Sequence, residues 1–251
     1  MTIIGPVAAV CALLLAAVSG FGHRWGWWTF GTGFAVLKWS AYTAIAALVL
    51  SVIGAVLNRP GRGGPKPADG SSHRMPPGFA WGLFGIVVSV GIIAVPVYWL
   101  YRAQHAPRIH DITTDTADPP HFEAILPLRR DAPNTAEYGG PAIAAQQQAA
   151  YPDIRSLLVA RPPGEVFDLA LAKVRAHGWH VVDAQRPRGR IEATDTTFWF
   201  GFKDDIVIRV RTVAGGSRLD VRSVSRVGLS DVGTNARRIR CFLQEMRQTS
   251  P

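Results

Sequence analysis

Charged residues are almost missing from the first hundred positions of this 251-residue chain. That part has six Lys and Arg residues and one acidic residue, whereas the remainder has 21 basic and 17 acidic residues. Cysteine is equally scarce. The two cysteines, Cys11 in an apolar run and Cys241 in a helical pattern, exclude a disulfide framework and a thiolate metal site. We expect Cys241 to be a small core residue.

The sequence motifs of several large enzyme classes are also absent. The chain has no G-x-S-x-G elbow, no H-E-x-x-H helix, no P-loop and no dinucleotide fingerprint. We therefore predict no catalytic residue, no metal site and no cofactor, and an enzyme is the less favoured class. The basic residues after Leu100 are interleaved with acidic ones instead of forming a stripe, which argues against nucleic acid as a partner.

Three long uncharged runs fill the first part of the chain and predict transmembrane helices at about residues 2–20, 39–57 and 79–100. Because no ionisable residue lies inside them, we expect these helices to anchor the protein in the membrane and not to form a transport path. The first run has the length of a signal peptide as well, but it lacks a basic start, which favours a retained helix. Residues 1–101 thus form the predicted membrane anchor, with the lipid bilayer as its partner.

The loop between the second and third runs, residues 58–77, is rich in Gly and Pro. Four of its residues are basic and one is acidic, so the positive-inside rule predicts that it faces the cytoplasm. The N-terminus then also lies inside, and the part that follows Tyr101 lies outside the cytoplasm.

Residues 102–251 have the pattern of a soluble α+β domain. Pro163 begins an amphipathic helix, Gly178 is placed to end it, and a second apolar stripe predicts a closing helix after Ser230. Between them, alternation predicts strands at residues 179–184, 190–195, 205–212 and 217–227. The predicted fold is a two-layer domain with a four-stranded antiparallel sheet, two helices on one face and a long irregular N-terminal arm. We call residues 102–163 the arm; they include nine prolines, with a short helix expected at 141–150.

Aromatic residues mark the middle of the strand region. The alternation of apolar and polar residues shifts by one position near Asp195, and the next apolar side chains are Phe198, Trp199, Phe200 and Phe202. Such a change indicates a bulge or a bend. These rings are either part of the core or the lining of an apolar pocket that holds lipid.

Polar residues at strand ends and loops supply the candidate binding residues. An arginine cluster near a helix N-terminus can hold an anion such as a phosphate or a carboxylate headgroup, although these groups can equally pair with each other and fix the arm to the sheet. A second group in the arm can bind a divalent ion or act as acid and base, or simply form turns before proline. The candidates are Arg222, Arg226, Asp204, Asp205, Asp231 and Asn235 in the first group, and His110 with Asp111 and Asp115 in the second.

Five long segments in this order make the chain similar to a known family: HDITTDTADPP, QQQAAYPDI, GRIEAT, GFKDDIVIRV and DVRSVSRVGLSDVGTNARRI. From about Arg108 to Met246 it resembles the domain-of-unknown-function family numbered 1499. The resemblance implies a membrane-associated protein of the bacterial envelope and no established activity.

Our hypothesis from the sequence is a multi-pass protein of the bacterial inner membrane whose extracytoplasmic or periplasmic domain is a non-enzymatic binding or interaction module. Its expected ligand is an anionic small molecule or an envelope protein. The alternatives are a hydrolase-like enzyme that uses His110 with Asp111 or Asp115, and a lipid-binding domain.

Overall fold

The computed structural model describes residues 3–60 and 75–248. Three long helices come first: α1 (Ile4–Arg24), α2 (Phe30–Leu57) and α3 (Pro77–His105). Each is long and apolar enough to cross a membrane, as the hydropathy pattern predicted. Helix α2 begins well before the predicted position because the Thr29 hydroxyl accepts a hydrogen bond from the Thr32 N–H and caps the helix there.

Small residues allow these helices to pack closely. A Cβ atom added to Gly82 would lie 2.8 Å from the Cβ of Ala55, and Gly85 lies directly against Ser51. The hydroxyl of Ser40 donates to the carbonyl of Ala12 at 2.7 Å, which joins α2 to α1. Glycine, alanine and serine at such positions bring helix backbones together where apolar burial alone gives no preference.

The chain divides into two compact units. One consists of the residues up to Tyr101 together with the short segment Phe198–Gly201, and the other consists of the remaining residues from Arg102 onward. The basic residues Arg62, Lys66 and Arg74, on which the membrane orientation depends, lie outside the described residues. The orientation therefore stays a prediction.

The second unit has an antiparallel sheet of six strands, not the four that we predicted. The strands are β1 (Asp111–Thr113), β2 (Leu157–Val159), β3 (His180–Gln185), β4 (Arg190–Thr196), β5 (Lys203–Val213) and β6 (Gly216–Ser225). Their order is β1-β6-β5-β4-β3, and β2 also pairs with β6. The two strands that we missed are three residues long and lie in the proline-rich arm, where alternation is too short to detect.

Helices α5 (Pro163–Ala176) and α6 (Thr234–Gln248) cover one face of the sheet. The core between them contains Ile206, Ile208 and Val210 of β5, which confirms the predicted inward positions, and the rings of Phe167 and Phe242. The arm contributes a further helix, α4 (Gly140–Ala150), where a short helix was predicted.

The arm covers the opposite face of the sheet. Phe122 and Ile125 pack there against Val207 and Val224. The carboxylate of Glu192 on β4 is fully buried and accepts hydrogen bonds from arm N–H groups, including that of Ile125 at 2.9 Å. The sheet is therefore enclosed on both faces, and a two-layer description is incomplete.

Candidate functional site

A concave surface of the second unit brings His110 and Asp111 together with residues that the sequence did not indicate. We call it the His110 groove; its volume is about 370 Å³. The backbone of His110 is fixed because its carbonyl accepts hydrogen bonds from the N–H of Ser225 and the side-chain amide of Asn235, both at 3.0 Å. The groove is lined by Arg108, Ile109, His110, Asp111, Thr135, Glu137, Gly139, Ile143 and Leu229.

The side chain of His110 is half-buried in this groove. Among the residues that the structure describes, it has no hydrogen-bond or ion-pair partner. Thr135 and Glu137 line the same groove and are exposed. The groove thus presents an imidazole, a hydroxyl and a carboxylate beside the apolar surface of Leu229, whose side chain is 69% exposed.

Asp111 is engaged with Arg222, one of the predicted anion-binding residues. Its two carboxylate oxygens accept hydrogen bonds from the guanidinium of Arg222 at 3.0 and 2.7 Å. Arg222 also donates to the carbonyls of Pro120 at 3.1 Å and Ala136 at 2.7 Å. Arg222 is only 1% exposed, so it is a buried link between β6, β1 and the arm.

Aromatic rings complete the environment of Arg222. Its guanidinium lies 5.3 Å from the ring centre of Phe122 and 5.5 Å from that of Tyr138, which are distances of a cation–π contact. Burial, with the charge of Asp111 adding to it, raises the pKa of Tyr138 to about 12. The Tyr138 hydroxyl therefore stays protonated at neutral pH.

Asp205 forms a second buried centre on the same face of the sheet. It accepts hydrogen bonds from Arg129 at 2.6 Å, from Thr194 at 2.6 Å and from Arg226 at 2.8 Å through two nitrogens. Burial acts to raise the pKa of Asp205, but the hydrogen bonds from Arg226, Thr194 and Arg129 outweigh it, so the pKa is lowered. Arg226 is therefore committed to an internal ion pair.

Asp204 and Asn235 lie on the opposite, helix-covered face. Asp204 accepts a hydrogen bond at 2.7 Å from Arg238 of α6, which also binds Asp195 at 2.7 Å. Asn235 accepts a hydrogen bond from the hydroxyl of Ser223 at 2.7 Å. Asp204 and Asp205 point to different faces because successive residues of a strand alternate.

Asp231 stabilises the start of α6. Its carboxylate accepts hydrogen bonds from the N–H groups of Gly233 at 2.9 Å and Asn235 at 2.6 Å, in the manner of a helix cap. Burial raises the pKa of Asp231 despite these hydrogen bonds. The structure therefore does not gather the predicted candidates into one site: it distributes them among the groove, three buried ion-pair centres and a helix cap.

A fourth charged cluster, which the sequence did not lead us to expect, is centred on the fully buried Asp220. Arg209 binds it from the neighbouring strand at 3.0 Å, and Arg218 binds both Asp220 and Asp115. The strand register contains the signal for this cluster, because Arg209 stands directly opposite Asp220. Asp115, the proposed acid–base partner of His110, is thus held by arginine.

Within residues 3–60 and 75–248, no group of three or more His, Cys, Asp or Glu residues is arranged to hold a metal ion. Cys11 and Cys241 are both exposed. Our expectation of a core position for Cys241 was wrong, because the apolar stripe of α6 buries the adjacent Phe242.

The predicted aromatic residues do not line either of the two cavities described here. The second cavity, of about 360 Å³, is lined mainly by polar residues that include Thr114, Gln147 and Arg155. Phe200 is buried, but Phe198 is 78% exposed and therefore not a core residue.

Comparison with known proteins gives a family but no activity. A family model described as a protein of unknown function (DUF1499) matches residues 111–246, from β1 to near the end of α6. No curated protein matches the chain. The matched residues make up more than half of the sequence, and the chain belongs to the DUF1499 family.

Proposed function

We propose that this protein is a membrane-tethered, non-enzymatic binding module of the bacterial envelope and that the His110 groove receives a short segment of another envelope protein. The single observation that supports this proposal most is the groove itself. It is lined by the exposed apolar side chain of Leu229 together with the half-buried His110 and the charged residues Arg108 and Glu137. Concave apolar surfaces with a few polar groups are typical binding sites.

The charges of the groove favour a protein segment over an anionic small molecule. Arg108 and Glu137 line it together, so it offers charges of both signs. The guanidinium of Arg222, on which an anion site would depend, is buried and already bound by Asp111. A volume of about 370 Å³ accommodates one or two side chains and not a folded domain.

A site-specific photo-crosslinker tests this proposal. We would introduce a benzophenone amino acid at Leu229 and, as a matched control, at Leu158, which is 70% exposed on β2. We expect a discrete crosslinked product in intact cells from position 229 and none from position 158. A Thr135→Trp substitution, which fills the groove from an exposed position, should abolish the product. Equal products at both positions, or a product that persists in the Thr135→Trp variant, would reject the groove as the site.

The second candidate function is hydrolysis, which the presence of Thr135 and Glu137 beside His110 favours. The carboxylates that we first expected to assist His110 are held elsewhere, Asp111 by Arg222 and Asp115 by Arg218. A hydrolytic mechanism would thus need Glu137 as the partner of the imidazole. Turnover of p-nitrophenyl esters or phosphates that disappears in His110→Ala and in Glu137→Gln would favour this candidate over binding.

The proposed location of the second unit is the extracytoplasmic side of the inner membrane. The exposed Cys241 provides a native probe for it. A maleimide that cannot cross the inner membrane should label Cys241 in intact cells as fully as in detergent, with a Cys241→Ser variant as the blank. Labelling that requires membrane disruption would place this unit in the cytoplasm.

A further inference from the structure

The connection between β4 and β5 belongs to the membrane-helix unit and not to the sheet domain that it interrupts. The residues of the connection that belong to this unit are Phe198-Trp199-Phe200-Gly201. We call it the aromatic loop. The strands β4 and β5, which it joins, contain ion-paired residues and alternating core residues. In the aromatic loop, three of the four residues are aromatic.

The loop packs against a glycine of α1. The ring of Trp199 occupies the space where a side chain at Gly20 would lie. The indole N–H of Trp199 donates to the carbonyl of Ala17 at 3.2 Å. Trp199 therefore binds the last turns of α1 by both shape and hydrogen bonding.

Two further contacts hold the loop beside α1 and α2. Phe200 is buried, with its ring centre 5.1 Å from that of Phe34 on α2. The guanidinium of Arg24, the last residue of α1, donates to the carbonyl of Phe198 at 2.7 Å. These contacts fix the loop where α1 ends and α2 begins.

The side chain of Phe198 is left exposed by this arrangement, next to other exposed aromatic rings. It packs edge-on against Phe21 at 5.4 Å, and Phe21 in turn stacks on Trp25 at 5.5 Å. Trp25 and Trp27, in the turn between α1 and α2, are exposed as well. A contiguous surface of exposed aromatic rings is uncommon where water is the only neighbour.

We propose that Phe198, Trp25 and Trp27 form one lipid-binding surface in the interfacial layer of the bilayer that α1 to α3 span. Aromatic side chains concentrate at this depth, where apolar rings and polar edges are both accommodated. The surface lies where α1 ends and α2 begins, and both helices are long and apolar enough to cross a membrane, which favours lipid of that membrane as its partner. The aromatic loop is then a fourth membrane contact, and it is independent of the His110 groove.

Depth-dependent quenching of a fluorescent label tests this proposal on the full chain in lipid nanodiscs. In a Cys11→Ala, Cys241→Ser background, one cysteine would be placed at position 198, 27 or 158 and labelled with an environment-sensitive dye. We expect the labels at 198 and 27 to be quenched by nitroxide lipids and shielded from aqueous iodide. The label at 158, on the exposed Leu158 of β2, should show the opposite pattern. A label at 198 that behaves like the one at 158 would overturn the proposal.

A substitution of Gly20, against which Trp199 packs, provides the second measurement. Gly20→Val should displace Trp199 and make the label at 198 several times more accessible to iodide. Gly91→Val is the matched control, because no described atom lies within 4 Å of the position of its added Cβ. The label at 27 should stay in lipid in both variants, which shows that the helices remain inserted. If Gly20→Val leaves the label at 198 in lipid while the label at 27 is also unchanged, the packing of Trp199 against Gly20 does not hold the loop at the membrane, and the proposal is wrong in this respect.

Discussion

The buried pair of Arg222 and Asp111 yields the most informative prediction, because both were first candidates for ligand binding. We consider Arg222→Met, which retains an apolar stem between the rings of Phe122 and Tyr138 but removes the guanidinium. The carboxylate of Asp111, whose side chain is 7% exposed, would then be buried without a counter-charge. The carbonyl of Ala136 would also lose its donor.

Removing one partner of a buried ion pair costs about 3–5 kcal/mol, because the remaining charge stays desolvated. Since about 1.4 kcal/mol corresponds to a factor of ten in an equilibrium constant, opening of the sheet should become at least about 100-fold more frequent. Combining Arg222→Met with Asp111→Asn should restore part of this loss, with a coupling of about 1–3 kcal/mol. The double variant is predicted to be more stable than the two single effects imply.

Hydrogen exchange of β6 peptides, measured by mass spectrometry on the full chain in nanodiscs, gives the opening free energy directly. The matched control is Arg186→Met. Arg186 makes the same two-point contact with Asp168, at 2.9 and 2.8 Å, but both side chains are more than half exposed. We expect exchange in this variant to stay as in the parent protein, because exposed pairs contribute little.

A structural role of the pair is refuted if Arg222→Met leaves β6 exchange unchanged while the crosslinked product from position 229 is lost. That result would mean that Asp111 and Arg222 separate readily and that the pair serves a ligand. Equal destabilisation by Arg222→Met and Arg186→Met would refute it in another way, because burial would then not be the cause.

Two further predictions concern the arm and acid stability. Gln147→Leu should destabilise β1 by about 2 kcal/mol. The side-chain amide of Gln147 accepts a hydrogen bond from the N–H of Thr113 at 2.9 Å and donates one to its C=O at 2.7 Å, and both backbone groups would lose their partner. Hydrogen exchange of β1 should rise in this variant and not in Gln148→Leu, because the side chain of Gln148 is exposed. Asp205 has a lowered pKa in the folded chain, because its hydrogen bonds, first among them those from Arg226, outweigh the effect of burial. Its contribution to stability is thus present above its ordinary pKa of 3.8 and is lost as the pH falls through the lower folded value. The melting temperature should drop over this range, and less so in Asp205→Asn; a variant with the same acid sensitivity as the parent would contradict this assignment.

Local patterns predicted a large part of the fold. The alternation that placed Ile206, Ile208 and Val210 inward depends only on the two-residue period of a strand, and the structure follows it. The turn at Gly215 fixes the next strand, because Gly215 has a φ of +78° and brings Arg209 opposite Asp220. The three apolar helices follow from composition in the same local way.

The arm could not be predicted, because its structure depends on contacts distant in sequence. Glu192 illustrates this limit. A glutamate on the outer face of a strand is normally exposed, but here arm N–H groups some seventy positions away bury it completely. The grouping of Asp204 with Asp205 failed for a different reason: the same two-residue period that placed the core residues sends these neighbours to opposite faces.

The buried ion pairs and the His110 groove are connected through the arm. Arg222 binds the carbonyl of Ala136 at 2.7 Å, and Arg129 binds the carbonyls of Asn134 at 3.1 Å and Thr135 at 3.3 Å. Thr135 lines the groove, and Asn134 and Ala136 adjoin the lining residues Thr135 and Glu137 in the sequence. The nine prolines of the arm donate no backbone hydrogen bonds, and at this place the guanidinium groups of Arg222 and Arg129 bind its carbonyls. Arg222, which we first considered as a ligand for an anion, thus acts together with Arg129 on the backbone beside the groove in which we propose that the partner binds.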